Sequence, residues 1–155
     1  MSRHPITFPR FLAAWGVTML VIATLDSLWL DWLAVDFYRR ELGTLMSGSV
    51  RIVPAVLHYL TYPVAIIGLA LFPLPTQWCV AALRSAGLGL TAFGVYDLTN
   101  LATMPEYTVM VATVDMAWGT FATTLGGLAA YSVLARNCAV RQTAPKDASI
   151  SPAST

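Results

Sequence analysis

The chain has 155 residues, of which 57% are hydrophobic and 11% are charged, and its formal net charge is +1. A soluble domain has about 45–50% apolar and about 25% charged residues, so this composition excludes a soluble globular domain and a disordered chain. The small net charge excludes a nucleic-acid partner, and two cysteines are too few for a disulfide scaffold. A small membrane protein remains.

Four apolar segments are long enough to cross a bilayer, which takes about 20 mostly apolar residues in a helix. They cover residues 11–33, 52–72, 78–103 and 107–134. None alternates apolar and polar residues as membrane β-strands do, so helices are predicted. The first segment exceeds the apolar part of a signal peptide, which has about 7–15 residues, and lacks a small-residue cleavage site. We therefore expect it to be a retained helix.

The connections between these segments predict an antiparallel arrangement. Pro73 and Pro75 end the second segment, because proline cannot donate to the helical hydrogen bonds. Met104-Pro105-Glu106 joins the third and fourth segments so tightly that they must be antiparallel neighbours. The longer first connection mixes aromatic and charged residues between Val35 and Gly43, which predicts a short interfacial helix.

The predicted fold is all-α, an integral membrane four-helix bundle. Residues 1–135 form a single transmembrane domain in this interpretation. The segment 136–155 is rich in Ala, Ser, Thr and Pro and lacks apolar periodicity, so it is predicted to be a disordered tail.

Basic residues predict the orientation, because they are more frequent in cytoplasmic connections. With four spans, the termini and the second connection share one side. That side carries six basic residues, which are Arg3, Arg10, Arg84, Arg136, Arg141 and Lys146. The opposite side carries three, which are Arg39, Arg40 and Arg51. We therefore expect both termini, and with them the tail, to lie in the cytoplasm.

Polar residues inside the four spans are predicted to lie at one depth. At a rise of 1.5 Å per residue they are roughly 5–12 Å below the outer boundary of the bilayer. They are Asp26 in the first span, His58 in the second, Asp97 and Asn100 in the third, and Asp115 in the fourth. A charge at the bilayer centre costs at least about 2.5–3.5 kcal/mol, so these residues are candidates for substrate binding. The alternative interpretation is that they form hydrogen bonds that only fix helix packing.

Two spacings predict how the acidic residues meet. The fourth span repeats small residues every four positions after an acid, in the order Asp115, Gly119, Thr123 and Gly127. Such a stripe lets another helix approach closely. Asp97 and Asp115 lie at similar distances before and after Pro105, so we expect them to face each other. Two neighbouring carboxyls in a low dielectric do not both ionise easily, so they should share a proton or a cation.

The sequence contains no specific catalytic motif and no known metal-ligand spacing, so neither a metal nor another cofactor is expected. A single intramembrane histidine cannot supply bis-histidine haem ligation without dimerisation. The aromatic residues near the outer ends of the spans are most simply an interfacial belt. They are Trp29, Trp32, Tyr59, Tyr62 and Tyr107.

Two strings in the third and fourth spans are distinctive. They read Tyr96-Asp97-Leu98-Thr99-Asn100-Leu101-Ala102-Thr103 and Val114-Asp115-Met116-Ala117-Trp118-Gly119. Together they resemble a family of small bacterial membrane proteins known as domain of unknown function 2177. Other matching elements are Asp26 with Trp29-Leu30, Phe37-Tyr38 with Leu42-Gly43, and Pro54-Ala55 leading to Tyr62. The resemblance covers about residues 11–131, with one departure at Tyr107, where family members often carry tryptophan.

This resemblance implies a multi-pass protein of the bacterial inner membrane and no established activity. It adds Trp118 to the candidate residues and leaves three functions open. The leading hypothesis is binding or translocation of a small polar or cationic solute in an acidic pocket in the outer half of the bilayer. The alternatives are a membrane enzyme acting on a lipid or amphipathic substrate, and a non-catalytic accessory subunit. The expected partners are the lipid bilayer, the solute or lipid, and a second copy or another membrane protein.

Overall fold

The computed structural model describes residues 6–43 and 51–140, which form helices connected by short turns. Helix α1 (Phe8–Leu28) continues as a π-helical turn over Trp29–Leu33. The other helices are α2 (Val35–Leu42), α3 (Ile52–Ala65) with a π-helical continuation over Ile66–Ala70, α4 (Trp78–Thr103) and α5 (Val109–Val140). The prediction of an all-α fold is confirmed, as is the short helix after the first span.

Three of the helical segments are long and apolar enough to cross a membrane, namely Phe8–Leu33, Ile52–Ala70 and Trp78–Thr103. Helix α5 is the fourth long helix, with 32 residues. It ends at Val140, a few residues beyond residue 134, where the fourth apolar segment of the sequence ends. The rest of the predicted tail lies outside the described residues.

Two buried clusters define the two ends of the bundle. The aliphatic cluster joins the first turns of α1 and α4 to the ends of the second span and α5, through Ala14, Ile67, Leu71, Ala81, Ala130 and Leu134. The tyrosine cluster joins the end of the first span to α2 and the start of α5, through Ala34, Tyr38, Tyr107, Val111 and Ala112. Each cluster combines beginnings and ends of helices, so consecutive long helices run antiparallel.

The closest packing in the bundle is between α4 and α5, which share its most extensive contact. A Cβ atom added at Gly89 would lie 2.8 Å from the backbone oxygen of Gly119. A Cβ added at Gly119 would collide with the ring of Phe93, and one at Gly127 with the side chain of Ser85. The predicted small-residue stripe therefore packs against α4, where glycine is needed because an added methyl group would collide with atoms of the neighbouring helix.

Helix α3 departs from the regular α-helical geometry because of a proline. Pro63 lies inside the helix and has no N–H to donate to the carbonyl of Tyr59. The chain continues as a π-helical turn over Ile66–Ala70, which supplies most of the contact with α4 and α5. Earlier residues of α3 pack mainly against α1, where the Trp15 indole donates to the Leu60 carbonyl oxygen at 2.9 Å.

The short helix α2 is held against the bundle by apolar and aromatic contacts in the tyrosine cluster and by a hydrogen bond from Thr108. Tyr38 is buried in the tyrosine cluster. The Thr108 hydroxyl, just before α5, donates to the Glu41 carboxylate at 2.9 Å. The basic residues Arg39 and Arg40 are exposed on the opposite face, and Arg39 lies 3.8 Å from Asp36. This amphipathic arrangement suits a helix at the membrane surface.

Replacing Gly89 with alanine should destabilise the protein by about 1–3 kcal/mol, because the added methyl group would meet backbone atoms that cannot move independently. The matched control is Gly87→Ala in the same helix. Gly87 is exposed and has no atom within 4 Å of an added Cβ, so its replacement should leave stability unchanged or slightly higher. Unfolding in detergent by titration with dodecyl sulfate measures both variants. Equal midpoints for the two would contradict the close α4–α5 contact.

Candidate functional site

Asp97 is the most deeply buried acid among the described residues, with none of its surface exposed. Helix α4 presents it toward α5 on the same face as the buried Gly94. The hydroxyl of Tyr107 donates to its Oδ1 atom at 2.6 Å. Its Oδ2 atom is buried and accepts no hydrogen bond from the part of the chain that is described. One oxygen of Asp97 is therefore satisfied and the other is not.

Asp115 lies beside Asp97 and receives its own tyrosine hydroxyl. The Tyr38 hydroxyl donates to Asp115 Oδ1 at 2.7 Å, and the Trp29 indole donates to the Tyr38 oxygen at 3.3 Å. Burial raises the pKa of Tyr38, and its hydrogen bond to the Asp115 carboxyl raises this pKa further. Tyr38 therefore stays protonated and acts as a donor. The structure thus brings Asp97 and Asp115 together as predicted, and we call them the carboxyl pair.

Neutral donors, not cations, hold the carboxyl pair. Within residues 6–43 and 51–140 the one salt bridge joins Arg39 to Asp36, and both side chains are exposed on α2. The pair therefore receives hydrogen bonds from tyrosine without receiving positive charge. A buried acid whose charge is not compensated favours any cation or proton that can reach it.

A stacked pair of indoles connects the carboxyl pair to a third acid. The rings of Trp29 and Trp118 lie with centroids 4.4 Å apart and planes inclined by 7°. The Trp118 indole donates to Asp26 Oδ1 at 3.2 Å. Asp26 in turn lies near Tyr59 and His58 of α3. A continuous polar and aromatic network therefore links α1, α2, α3 and α5 at the tyrosine end of the bundle.

A cavity of about 320 Å³ lies between α3 and α4 next to the carboxyl pair. It is lined by His58, Tyr62, Ala92, Phe93, Tyr96 and Asp115. His58, Ala92 and Tyr96 are exposed, so the cavity opens on the side of the bundle between the two helices. This volume is at the lower end of the range of about 300–1,000 Å³ that is usual for small-molecule sites.

Aromatic rings form most of the wall of this cavity. The rings of His58 and Tyr62 are stacked, with centroids 5.1 Å apart. Tyr62 meets Phe93 edge-on at 6.3 Å. A 2.7 Å hydrogen bond between the Tyr62 hydroxyl and Thr123 Oγ1 holds the Tyr62 ring in place. One carboxyl and several fixed ring surfaces therefore face the same space.

A larger cavity, of about 560 Å³, lies in a different part of the same α3–α4 groove. Its charged residue is Arg84, whose guanidinium donates to the Pro73 carbonyl oxygen at 3.1 Å. It contains none of the candidate site residues. The acidic network is therefore associated with the smaller cavity.

Five of the six residues selected from the sequence belong to this network, namely Asp26, His58, Asp97, Asp115 and Trp118. Asn100 is half-buried one turn further along α4, and no hydrogen bond joins it to either member of the carboxyl pair in the described segments. No group of three His, Cys, Asp or Glu side chains is placed to hold a metal ion, as far as the described residues extend.

Trp29, Tyr38 and Tyr107 contribute hydrogen bonds to the network but were not selected as site residues from the sequence. Trp29 and Tyr107 were interpreted as parts of an interfacial aromatic belt, but both contribute to the buried network. Trp32 fits the belt, since 80% of its surface is exposed. Tyr38 was assigned only to the surface helix. Its spacing of four residues from the apolar Ala34 could have indicated an inward face of α2.

The fold and the site together define the class of this protein. Three membrane-length apolar helices and a fourth long helix enclose buried acids, so it is a multi-pass membrane protein. The model of one family, described as "Predicted membrane protein (DUF2177)", matches residues 11–132. The chain belongs to that family, which confirms the resemblance seen in its sequence. Neither the curated proteins nor the solved structures contain a match to this chain.

Replacing Tyr107 with phenylalanine should destabilise the protein by about 1–3 kcal/mol, because it removes the hydroxyl that donates to the buried Asp97. Tyr96→Phe is the matched control, since 59% of the surface of Tyr96 is exposed on the neighbouring helix. The dodecyl sulfate titration should give a lower midpoint for Tyr107→Phe alone. A midpoint shared with the wild-type protein would contradict the assigned hydrogen bond.

Proposed function

We propose that this protein binds a small organic cation in the cavity between α3 and α4, with the Asp115 carboxyl as the counter-charge. The observation that carries the proposal is the placement of this acid at an aromatic cavity within a network that has no lysine or arginine partner among the described residues. A carboxyl in such surroundings attracts positive charge strongly, because low-dielectric walls screen it poorly.

The aromatic lining favours an organic cation over a hydrated metal ion. His58, Tyr62 and Phe93 offer ring faces and edges around the space beside Asp115. A cation over an aromatic ring gains about 0.5–1 kcal/mol at an exposed site and about 2 kcal/mol when desolvated. Quaternary ammonium groups are the cations that aromatic sites of this kind recognise most often. The lateral opening would also accommodate an apolar substituent of the ligand.

The packing at the other end of the bundle supports binding over translocation. Residues of the aliphatic cluster are almost completely buried and fill the space between the four long helices. The buried Thr18 hydroxyl in that half bonds to the backbone carbonyl oxygens of Ala14 and Gly126 and does not form part of a polar path. Passage of a charged solute would require these helices to separate. The proposed activity is therefore reversible binding from one side.

Replacing Asp115 with asparagine should weaken the binding of choline, used as a probe cation, by about tenfold or more, which corresponds to about 1.4 kcal/mol or more. The uncharged analogue 3,3-dimethylbutanol has the same shape and should bind weakly to both proteins. Asp31→Asn is the control, because Asp31 is exposed on the π-helical turn of the first span and lies outside the network. Titration calorimetry in detergent measures all three proteins. Equal choline affinities for wild-type and Asp115→Asn would refute the proposal.

We further propose that the protein lies in the bacterial inner membrane with both termini in the cytoplasm. The support is the excess of basic residues on the side of the termini, six against three. In this orientation the tyrosine end and the cavity belong to the outer half of the bilayer. The ligand would then reach the site from the periplasm or the outer leaflet.

Native Cys79 provides a direct test of this orientation, since it is exposed at the start of α4. In a Cys138→Ala background, a membrane-impermeant maleimide should label Cys79 only after the inner membrane of spheroplasts is permeabilised. The control is Trp32→Cys in a chain without the two native cysteines, because Trp32 is highly exposed at the opposite end. That residue should be labelled in intact spheroplasts. The reverse pattern would show that the orientation is inverted.

A further inference from the structure

The unsatisfied oxygen of Asp97 is the most unusual polar atom of the network. Asp97 Oδ2 is buried and has no hydrogen-bond donor among the described residues. Leaving a buried acceptor unsatisfied is unfavourable, and more so if the group is charged. The nearby tyrosine hydroxyls are already used, since Tyr107 donates to the other oxygen of Asp97 and Tyr38 donates to Asp115. The neighbouring Asp115 carboxyl remains as a possible donor, provided that the pair carries a proton.

We propose that the carboxyl pair holds one proton at neutral pH and releases it when an organic cation binds against Asp115. The first part of this proposal concerns the protein without ligand and is independent of the proposed function. The second part rests on that function. Together, the two parts describe an exchange of a proton for an organic cation at the carboxyl pair.

The surroundings of the carboxyl pair favour the binding of this proton on the pair over its binding on another acid of the network. The titratable groups that face it or line the adjoining cavity come from every neighbouring element. They are Asp26 on α1, Tyr38 on α2, His58, Tyr59 and Tyr62 on α3, Tyr96 on α4 and Tyr107 before α5. His58 and Tyr59 adjoin Asp26, so the imidazole is the basic group nearest to that acid. Among the described residues no salt bridge reaches the carboxyl pair, and two adjacent carboxylates without a paired cation repel each other strongly.

The exchange conserves charge at the site. Without ligand, one carboxylic acid and one carboxylate carry a net charge of −1. When a monovalent cation binds, the O–H bond of the acid breaks and the proton leaves to solvent. Two carboxylates and one cation then again carry a net charge of −1. The low dielectric favours one positive charge for each carboxyl pair, whether that charge is a proton or the ligand.

Infrared spectroscopy of the ligand-free protein tests the first part. At neutral pH the wild-type spectrum should contain the carbonyl band of a protonated carboxylic acid. Asp97→Asn should abolish this band, because the asparagine amide can donate to Asp115 without a proton on the pair. Asp31→Asn is the control and should retain the band, since Asp31 is exposed. Absence of the band in the wild-type protein overturns the proposal, and so does a band lost only in Asp26→Asn.

Two measurements on the wild-type protein test the exchange without depending on a variant that folds. Choline should remove the protonated carboxyl band at constant pH. Its affinity should rise by about tenfold for each pH unit between roughly 6 and 8, because one proton leaves for each cation bound. Choline binding with a flat pH profile and an unchanged band would overturn the exchange and leave the proposed function standing. A protonated pair that binds no choline at any pH would instead overturn the proposed function and, with it, the exchange.

Discussion

The close contact between α4 and α5 is the constraint on which the rest of the structure depends. Gly89 and Gly119 allow the two backbones to approach so closely that no space is left for a Cβ atom at either position. The connection between these helices is short, so residues at similar distances from it face each other. Asp97 and Asp115 are such residues. The same contact that excludes lipid from between the helices therefore places two acids side by side.

Neutral donors stabilise these acids in a way that preserves their negative charge. A salt bridge would satisfy a buried carboxylate and also cancel its field, whereas a tyrosine hydroxyl or an indole N–H satisfies it and leaves the field in place. Tyr38 and Tyr107 do this for the carboxyl pair, and Trp118 does it for Asp26. These donors come from different elements of the bundle. A shift of one element would therefore change the hydrogen bonds to the acids.

The sequence predicted those features that depend on one helix or on one short connection. The apolar lengths identified the helices, the mixed composition after Ala34 identified α2, and the spacing around Pro105 identified the carboxyl pair. The stripe that includes Gly119 and Thr123 indicated which face of α5 is covered. Each of these inferences uses a period or a distance along the chain, which the observed helices preserve.

Features that depend on departures from the α-helical period could not be predicted in this way. A π-helical turn over Trp29–Leu33 rotates the residues that follow relative to those that precede it. The stacking of Trp29 on Trp118 and its bond to Tyr38 therefore do not follow from counting residues in threes and fours. Neither does the partner of Tyr107, because that residue lies in a turn.

The width of the cavity and its chemistry depend on different parts of α3, namely the backbone after Pro63 and the lining side chains. The π-helical turn after Pro63 fixes α3 to α4 and α5 at one level, while the preceding residues lean on α1. The width of the gap that contains the cavity therefore depends on backbone geometry that follows His58 and Tyr62 along the chain. Substitution of the lining side chains would change the chemistry of the cavity while this backbone geometry stayed the same. Within such a scaffold, ligand preference could diversify by substitution at a few wall positions while the bundle remained the same.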